Sequence, residues 1–166
     1  MSKKGKRHFL KDKEAKALLT RVSERLKTDL EKLFNEKTKI EQVETDFGEI
    51  FLINGKPSLF RIGENVYPTL LFEEVFSKTP KVIVDMGAIP HICNGADIMA
   101  PGIVRFEGNF KKGDLVFIVD EKHGKPIALG EIVYDDAEAC EVKHGVVVKN
   151  IHFAGDKIWN SFKTFY

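Results

Sequence analysis

The chain has 166 residues, 43% of them hydrophobic, with 26 Lys and Arg against 25 Asp and Glu. A chain of this size buries one good core or two small ones, and no apolar run approaches the roughly 20 residues needed to cross a bilayer. After the basic start Lys3, Lys4, Lys6 and Arg7, the charged residues Asp12, Lys13 and Glu14 interrupt the apolar stretch a secretory signal requires, so a cytoplasmic protein is expected.

Residues 1–80 hold 16 Lys and Arg against 13 Asp and Glu, whereas residues 81–166 hold 10 against 12. A protein that grips nucleic acid mainly by neutralising phosphates carries a strongly basic domain. RNA recognition here would have to rest on shaped contacts at a defined site. The exception is residues 1–11, where Lys3, Lys4, Lys6, Arg7 and Lys11 stand without an acid. They read equally as a phosphate-seeking tail or as a solvated terminus.

Between Ala15 and Phe34 the apolar residues Ala15, Leu18, Leu19, Val22, Leu26, Leu30, Leu33 and Phe34 recur every three or four positions. The period predicts one amphipathic helix, with Asp12 as its N-cap. From Ile40 to Ile62 the pattern changes to short β runs. Two of them, Glu49 to Asn54 and Pro57 to Ile62, meet at Asn54-Gly55, a dipeptide suited to a tight hairpin. Tyr67-Pro68-Thr69-Leu70 is expected to open a second short helix, and Ser77 to Pro80 to close the N-terminal domain.

Beyond Pro80, β-branched runs alternate with glycine turns: Val82 to Val84, Ile103 to Phe106, Leu115 to Val119, Ile127 to Val133 and Val146 to Val148. That spacing predicts a small barrel or sandwich. Cys93 and Cys140 lack the spacing of a zinc site or redox pair and are expected to be reduced, buried thiols. The five His are scattered, no phosphate-cradling glycine loop is present, and no catalytic constellation, cofactor site or metal-ligand set is expected.

The most informative segment is Val84-Asp85-Met86-Gly87-Ala88-Ile89-Pro90-His91-Ile92-Cys93-Asn94-Gly95-Ala96-Asp97-Ile98-Met99-Ala100-Pro101-Gly102-Ile103. It reads as a strand ending at Asp85, a helix from Ala88 to Asn94 capped by Gly95, and a Pro-Gly turn into the next strand. Backbone groups left open at the helix and turn ends would suit RNA phosphates and 2′-hydroxyls. The segment resembles the PUA signature. The resemblance continues through Gly113-Asp114, Pro126 to Gly130, Gly145 to Val148 and Trp159, which reads as a plug closing the barrel.

Val66 to Leu70, Gly95 to Gly102 and Asn150 to Phe153 are further similar to the malignant T-cell-amplified sequence proteins and ligatin. This resemblance implies an α+β chain: an α/β pre-PUA domain over residues 1–78, then a PUA pseudo-barrel with short helices over 79–166. It implies a non-enzymatic RNA-binding protein of translation, with the small ribosomal subunit, tRNA or rRNA, and a separate SUI-type factor as partners. The residues it implies for RNA contact are Gly87, Ala88, His91, Asn94, Gly95, Ala96, Asp97, Met99, Pro101, Gly102, Lys149 and His152. Gly87, Gly95 and Gly102 are expected at left-handed or tight-turn positions. Alternative readings are an accessory factor for tRNA or rRNA modification, and an adaptor that binds a peptide. Asp46 and Asp85 offer the aspartate that a pseudouridine synthase uses, but the residues outside the PUA region are too few for that catalytic domain.

Overall fold

A computed structural model of the chain describes residues 6–165; Lys3 and Lys4 of the basic start lie outside them. The chain forms two compact units. One takes the residues up to Val75 together with those from Asn160 onward, and the other spans Phe76–Trp159.

In the first unit, five antiparallel strands pair in chain order: β1 (Arg7–Phe9), β2 (Ile40–Glu44), β3 (Glu49–Ile53), β4 (Lys56–Ile62) and β5 (Asn65–Pro68). The β3–β4 hairpin turns through Asn54 at φ 51° and Gly55 at φ 83°, the paired positive angles that an Asn-Gly dipeptide supplies. Helix α1 (Asp12–Leu26) buries Leu18, Leu19, Val22 and Leu26.

The expected single helix to Phe34 is broken. Lys27 turns left-handed at φ 55°, and the chain restarts in a 3-10 turn, Leu30–Leu33, where Asp29 accepts from the amide of Glu31. The apolar stripe persists across this break because Leu30 is also buried, which is why periodicity alone did not reveal it. At the N-terminal end, Lys11 is the cap residue in place of Asp12, and its amide donates to Glu14 Oε1 at 3.2 Å. The helix expected to open at Tyr67–Leu70 starts later, because strand β5 runs to Pro68, on an edge where a missing donor is tolerated. The short helix α2 (Glu73–Phe76) follows it.

The second unit is a six-stranded sheet in the order β7-β11-β10-β9-β6-β8. Its strands are β6 (Lys81–Val84), β7 (Ile98–Met99), β8 (Ile103–Glu107), β9 (Leu115–Asp120), β10 (Pro126–Ile132) and β11 (Val146–Phe153). All pairings are antiparallel except β6 with β9. β9 is buried at every position, and Val82, Val84, Ile118, Ala128 and Val148 centre the core.

The sheet's two edges, β7 and β8, are consecutive in the chain and joined by the 3-10 turn Ala100–Gly102. In a flat sheet, six strands would hold those edges about 24 Å apart, whereas the four peptide steps from Met99 to Ile103 reach at most about 14 Å. The sheet therefore curls into an open barrel, with the signature segment at its seam. Where β10 crosses β11, Gly130 permits the contact, since a Cβ there would lie 2.4 Å from Val148 Cγ1 and 2.6 Å from the Lys149 carbonyl oxygen.

Helix α3 (Ile89–Ile92) belongs to the seam described below; helix α4 (Asp136–Ala139), helix α5 (Lys157–Ser161) and the 3-10 turn Phe162–Phe165 complete the elements. Trp159 is half-buried while its neighbour Ile158 is buried, so the aliphatic side chain takes much of the burial expected of the indole. Cys140 is exposed and Cys93 half-buried, in contrast to the buried thiols expected; burial pushes the Cys93 thiol up. Among the described residues, no helix is long and apolar enough to cross a membrane.

Candidate nucleic-acid interface

The seam begins where β6 ends. The Asp85 amide donates to the Gly102 carbonyl at 3.0 Å, so the excursion from 85 to 102 leaves and rejoins the barrel at one point. Asp85 Oδ1 accepts from the Ala88 amide at 2.9 Å, a local turn that short acidic side chains make readily, and it starts helix α3 (Ile89–Ile92). This helix is shorter than the sequence pattern suggested. The chain then reverses at Gly95, φ +98°, where the amides of Gly95 and Ala96 donate to the carbonyls of Ile92 and His91, both at 3.0 Å. A positive φ is costly for a residue with a Cβ, so glycine is required here.

Gly87 and Gly102 take the tight-turn alternative, in the turn before α3 and in the 3-10 turn, without left-handed backbone. At Gly102 the constraint is spatial: a Cβ would sit 3.0 Å from Ala88 Cβ.

Strand β11 locks the excursion in place. The Asn150 side-chain amide donates to the carbonyls of Ile92 at 3.0 Å and Ala96 at 2.9 Å, while its backbone N–H donates to Asp97 Oδ1 at 2.9 Å.

Between α3, β7 and the Ala100–Gly102 turn lies a cleft of about 490 Å³, lined by Asp85, Ala88, His91, Ile92, Ala96, Asp97, Ile98, Met99, Pro101 and Gly102. Met99 is 47% exposed at its lip, an apolar surface available to a base. Among the described residues the lining contains no Lys or Arg but two carboxylates, each already accepting one amide. Many of the amides expected to be open are spent inside the fold: those of Ala88, Asn94, Gly95 and Ala96 on nearby carbonyls, and that of Met86 on Glu121 Oε1 at 3.3 Å. The cleft thus suits ribose hydroxyls and base edges better than phosphate, which an acidic lining repels.

A PUA domain model matches residues 80–154, and the model of a domain of unknown function (DUF1947) matches residues 6–72. An uncharacterized protein of Methanocaldococcus jannaschii is 40% identical over 93% of this chain and 96% of its own length. Translation machinery-associated protein 20 of Schizosaccharomyces pombe is 30% identical over 88% of this chain and 84% of its own.

The chain belongs to the translation machinery-associated protein 20 family.

A hypothetical protein of Pyrococcus horikoshii superposes with a TM-score of 0.80 at 36% identity, covering 95% of this chain and 99% of that one. By contrast, a probable tRNA pseudouridine synthase B of Pyrobaculum aerophilum is 39% identical over 48% of this chain but only 24% of its own length. The family's two-part architecture, a DUF1947 region followed by a PUA domain, corresponds to the α+β fold described above, and the PUA domain makes this an RNA-binding chain.

Of the family residues singled out from sequence, the fold brings Ala88, His91, Ala96, Asp97, Met99, Pro101 and Gly102 together in the lining. Gly87, Asn94 and Gly95 are exposed outside it, with the Phe153 ring 3.5 Å from where a Cβ on Gly95 would stand. Lys149 projects from β11 into solvent. His152 has no exposed surface, and its Nδ1 lies 2.8 Å from Asp156 Oδ2. A fully buried imidazole offers RNA nothing to touch, so its place is in the packing of β11.

Sequence reasoning passed over Asp85, Ile92 and Ile98 as lining residues. An Asp three positions before the N-cap Ala88 was a usable turn signal. The two Ile were indistinguishable from core.

Proposed function

We propose that this protein is a cytoplasmic, non-enzymatic translation factor that holds a single-stranded RNA end in the cleft between α3 and β7. It engages the small ribosomal subunit and tRNA in initiation, reinitiation or recycling, alongside a separate SUI-type factor. The observation that carries this reading is near full-length similarity to translation machinery-associated protein 20, joined to a PUA cleft at the barrel seam. Ala88, His91, Ala96, Asp97, Met99, Pro101 and Gly102 contact the RNA end, Gly87, Asn94 and Gly95 hold the loop, and Lys149 meets a neighbouring phosphate. His152 supports β11 from within.

The test is sedimentation of the full chain with purified small subunits at moderate salt. Co-sedimentation is expected. A second reading, an accessory factor for tRNA or rRNA modification, is favoured by the similarity of the PUA half to tRNA pseudouridine synthase B. Binding to tRNA without co-sedimentation would transfer the assignment to that reading.

A further inference from the structure

The basic start of the chain is more than a solvated tail. From Lys6 onward it is built into the first sheet: Glu44 N–H donates to the Lys6 carbonyl at 3.0 Å, and Arg7, His8 and Phe9 pair with Val43, Gln42 and Glu41. Strand period places Arg7 and Phe9 on one face. The Leu10 amide donates to the Ile40 carbonyl at 2.8 Å, which continues the register one step and sets Lys11 across from Lys39 on that same face.

On this edge strand Phe9 is 62% exposed, the most exposed of the large apolar side chains described. Lys39 Nζ lies 5.8 Å from its ring centroid. Arg7 is anchored rather than loose: its Nη2 reaches Glu41 Oε1 at 2.7 Å and its Nε reaches Oε2 at 3.2 Å, while its guanidinium carbon lies 5.4 Å from the Phe165 ring centroid. Glu41 is thereby neutralised and Glu14 is turned to the Lys11 amide, which leaves Lys39 as a cation beside the exposed ring and Lys11 two residues along the chain from it.

We propose that Phe9, with Lys11 and Lys39, is a second RNA contact, on which an unpaired base stacks while the two lysines neutralise its flanking phosphates. An exposed aromatic ring bordered by cations is the combination that single-stranded nucleic acid selects, because every base offers a π face and every linkage a negative charge. The alternative occupant, a second copy pairing edge to edge through β1, brings Arg7, His8 and Lys11 of two strands together, an arrangement that edge cations oppose. This contact does not rest on the cleft, which lies in the other unit and carries carboxylates in place of cations.

The probe is a fluorescein-labelled oligoadenylate of about twelve nucleotides, within the site sizes such surfaces cover, followed by anisotropy with the full chain. Stacking of one base is worth about 5- to 150-fold in affinity by alanine substitution. Phe9→Ala and Phe9→Leu should both show a loss in that range, and Phe9→Tyr should stay within about twofold of the parent. Lys39→Gln should weaken the salt dependence by roughly 0.7 in log–log slope, one phosphate contact on a single strand. Combining Phe9→Ala with the cleft substitution Gly102→Val should reduce affinity beyond either change alone. Parental affinity in Phe9→Ala, or in Phe9→Leu, overturns the proposal. So does a dimer of the parent, seen by size-exclusion chromatography, that Phe9→Ala converts to monomer with oligoadenylate binding unchanged.

Discussion

Asn150 and Asp97 stand on different strands' territory, yet the Asn150 amide reaches Asp97 Oδ1 at 2.9 Å, and the Asn150 side chain spans from there to the end of α3. Its buried Oδ1 meets no hydrogen-bond donor among the described residues, so the side chain serves as a donor clamp. Asn150→Ala removes two hydrogen bonds to main-chain carbonyls, each worth about 1 kcal/mol net. The expected result is a fall in melting temperature of about 2–8 °C and a larger proportional loss of RNA affinity, because the clamp fixes the cleft wall. Affinity unchanged in a variant of lowered stability would show that the wall does not depend on Asn150.

The approach of Gly102 to Ala88 gives a reciprocal test. Gly102→Ala puts two methyl groups 3.0 Å apart at the cleft edge, and one wall must move by a few tenths of an ångström. RNA affinity should fall, and more so in Gly102→Val, with circular dichroism of the folded protein retained. In the double variant Ala88→Gly with Gly102→Ala the space reappears, so affinity should recover toward the parent. Additive losses in place of recovery would contradict the steric account.

At Gly130 the neighbour that blocks a Cβ is main chain and cannot swing away, since the Lys149 carbonyl oxygen would lie 2.6 Å from it. Gly130→Ala should therefore cost more than the ~1–3 kcal/mol of ordinary overpacking, measured by urea unfolding. A variant within about 1 kcal/mol of the parent, roughly the error of the extrapolation, would mean that β10 and β11 separate more easily than their pairing suggests.

Asp156 accepts from His152 Nδ1, from the Phe153 amide at 2.9 Å and, through its other oxygen, from the Trp159 amide at 2.8 Å. Burial alone would push this carboxyl up, but the hydrogen bonds and charge of His152 and the two amides outweigh it and hold the group below its ordinary value. A depressed carboxyl contributes stability that is complete above its unfolded value, about 3.9, and is lost as the pH falls through the folded value. Asp156→Asn should thus be less stable than the parent at neutral pH, by about 1–3 kcal/mol, and the gap should narrow in acid. An equal gap at pH 7 and in strong acid, compared by thermal melting across the carboxylate range, would argue against the ionised cap.

Much of this architecture was legible in the residue pattern because it rests on local rules. Asn54-Gly55 demanded its hairpin, Gly95 its positive φ, and the spacing of Leu18, Leu19, Val22 and Leu26 its helix face. The PUA signature was legible for the same reason, since its turn residues sit close together in the chain. Local rules failed where a buried position looks the same in two conformations. Leu30 extends the apolar stripe whether the chain is helical or has broken at Lys27, and Pro68 starts a helix or ends an edge strand equally well.

What tertiary structure alone decided were the long-range approaches. Periodicity carries no information about which carbonyl Asn150 meets across the seam, that the Cβ space of Gly102 is filled by Ala88, or that His152 points inward to Asp156. The basic start was visible as charge, but its second character came only from pairing β1 with β2, which set an exposed Phe9 beside Lys39. Composition fixes which groups a chain owns, while register and closure of the sheets fix which of them meet, because both are set by distances between residues far apart in sequence.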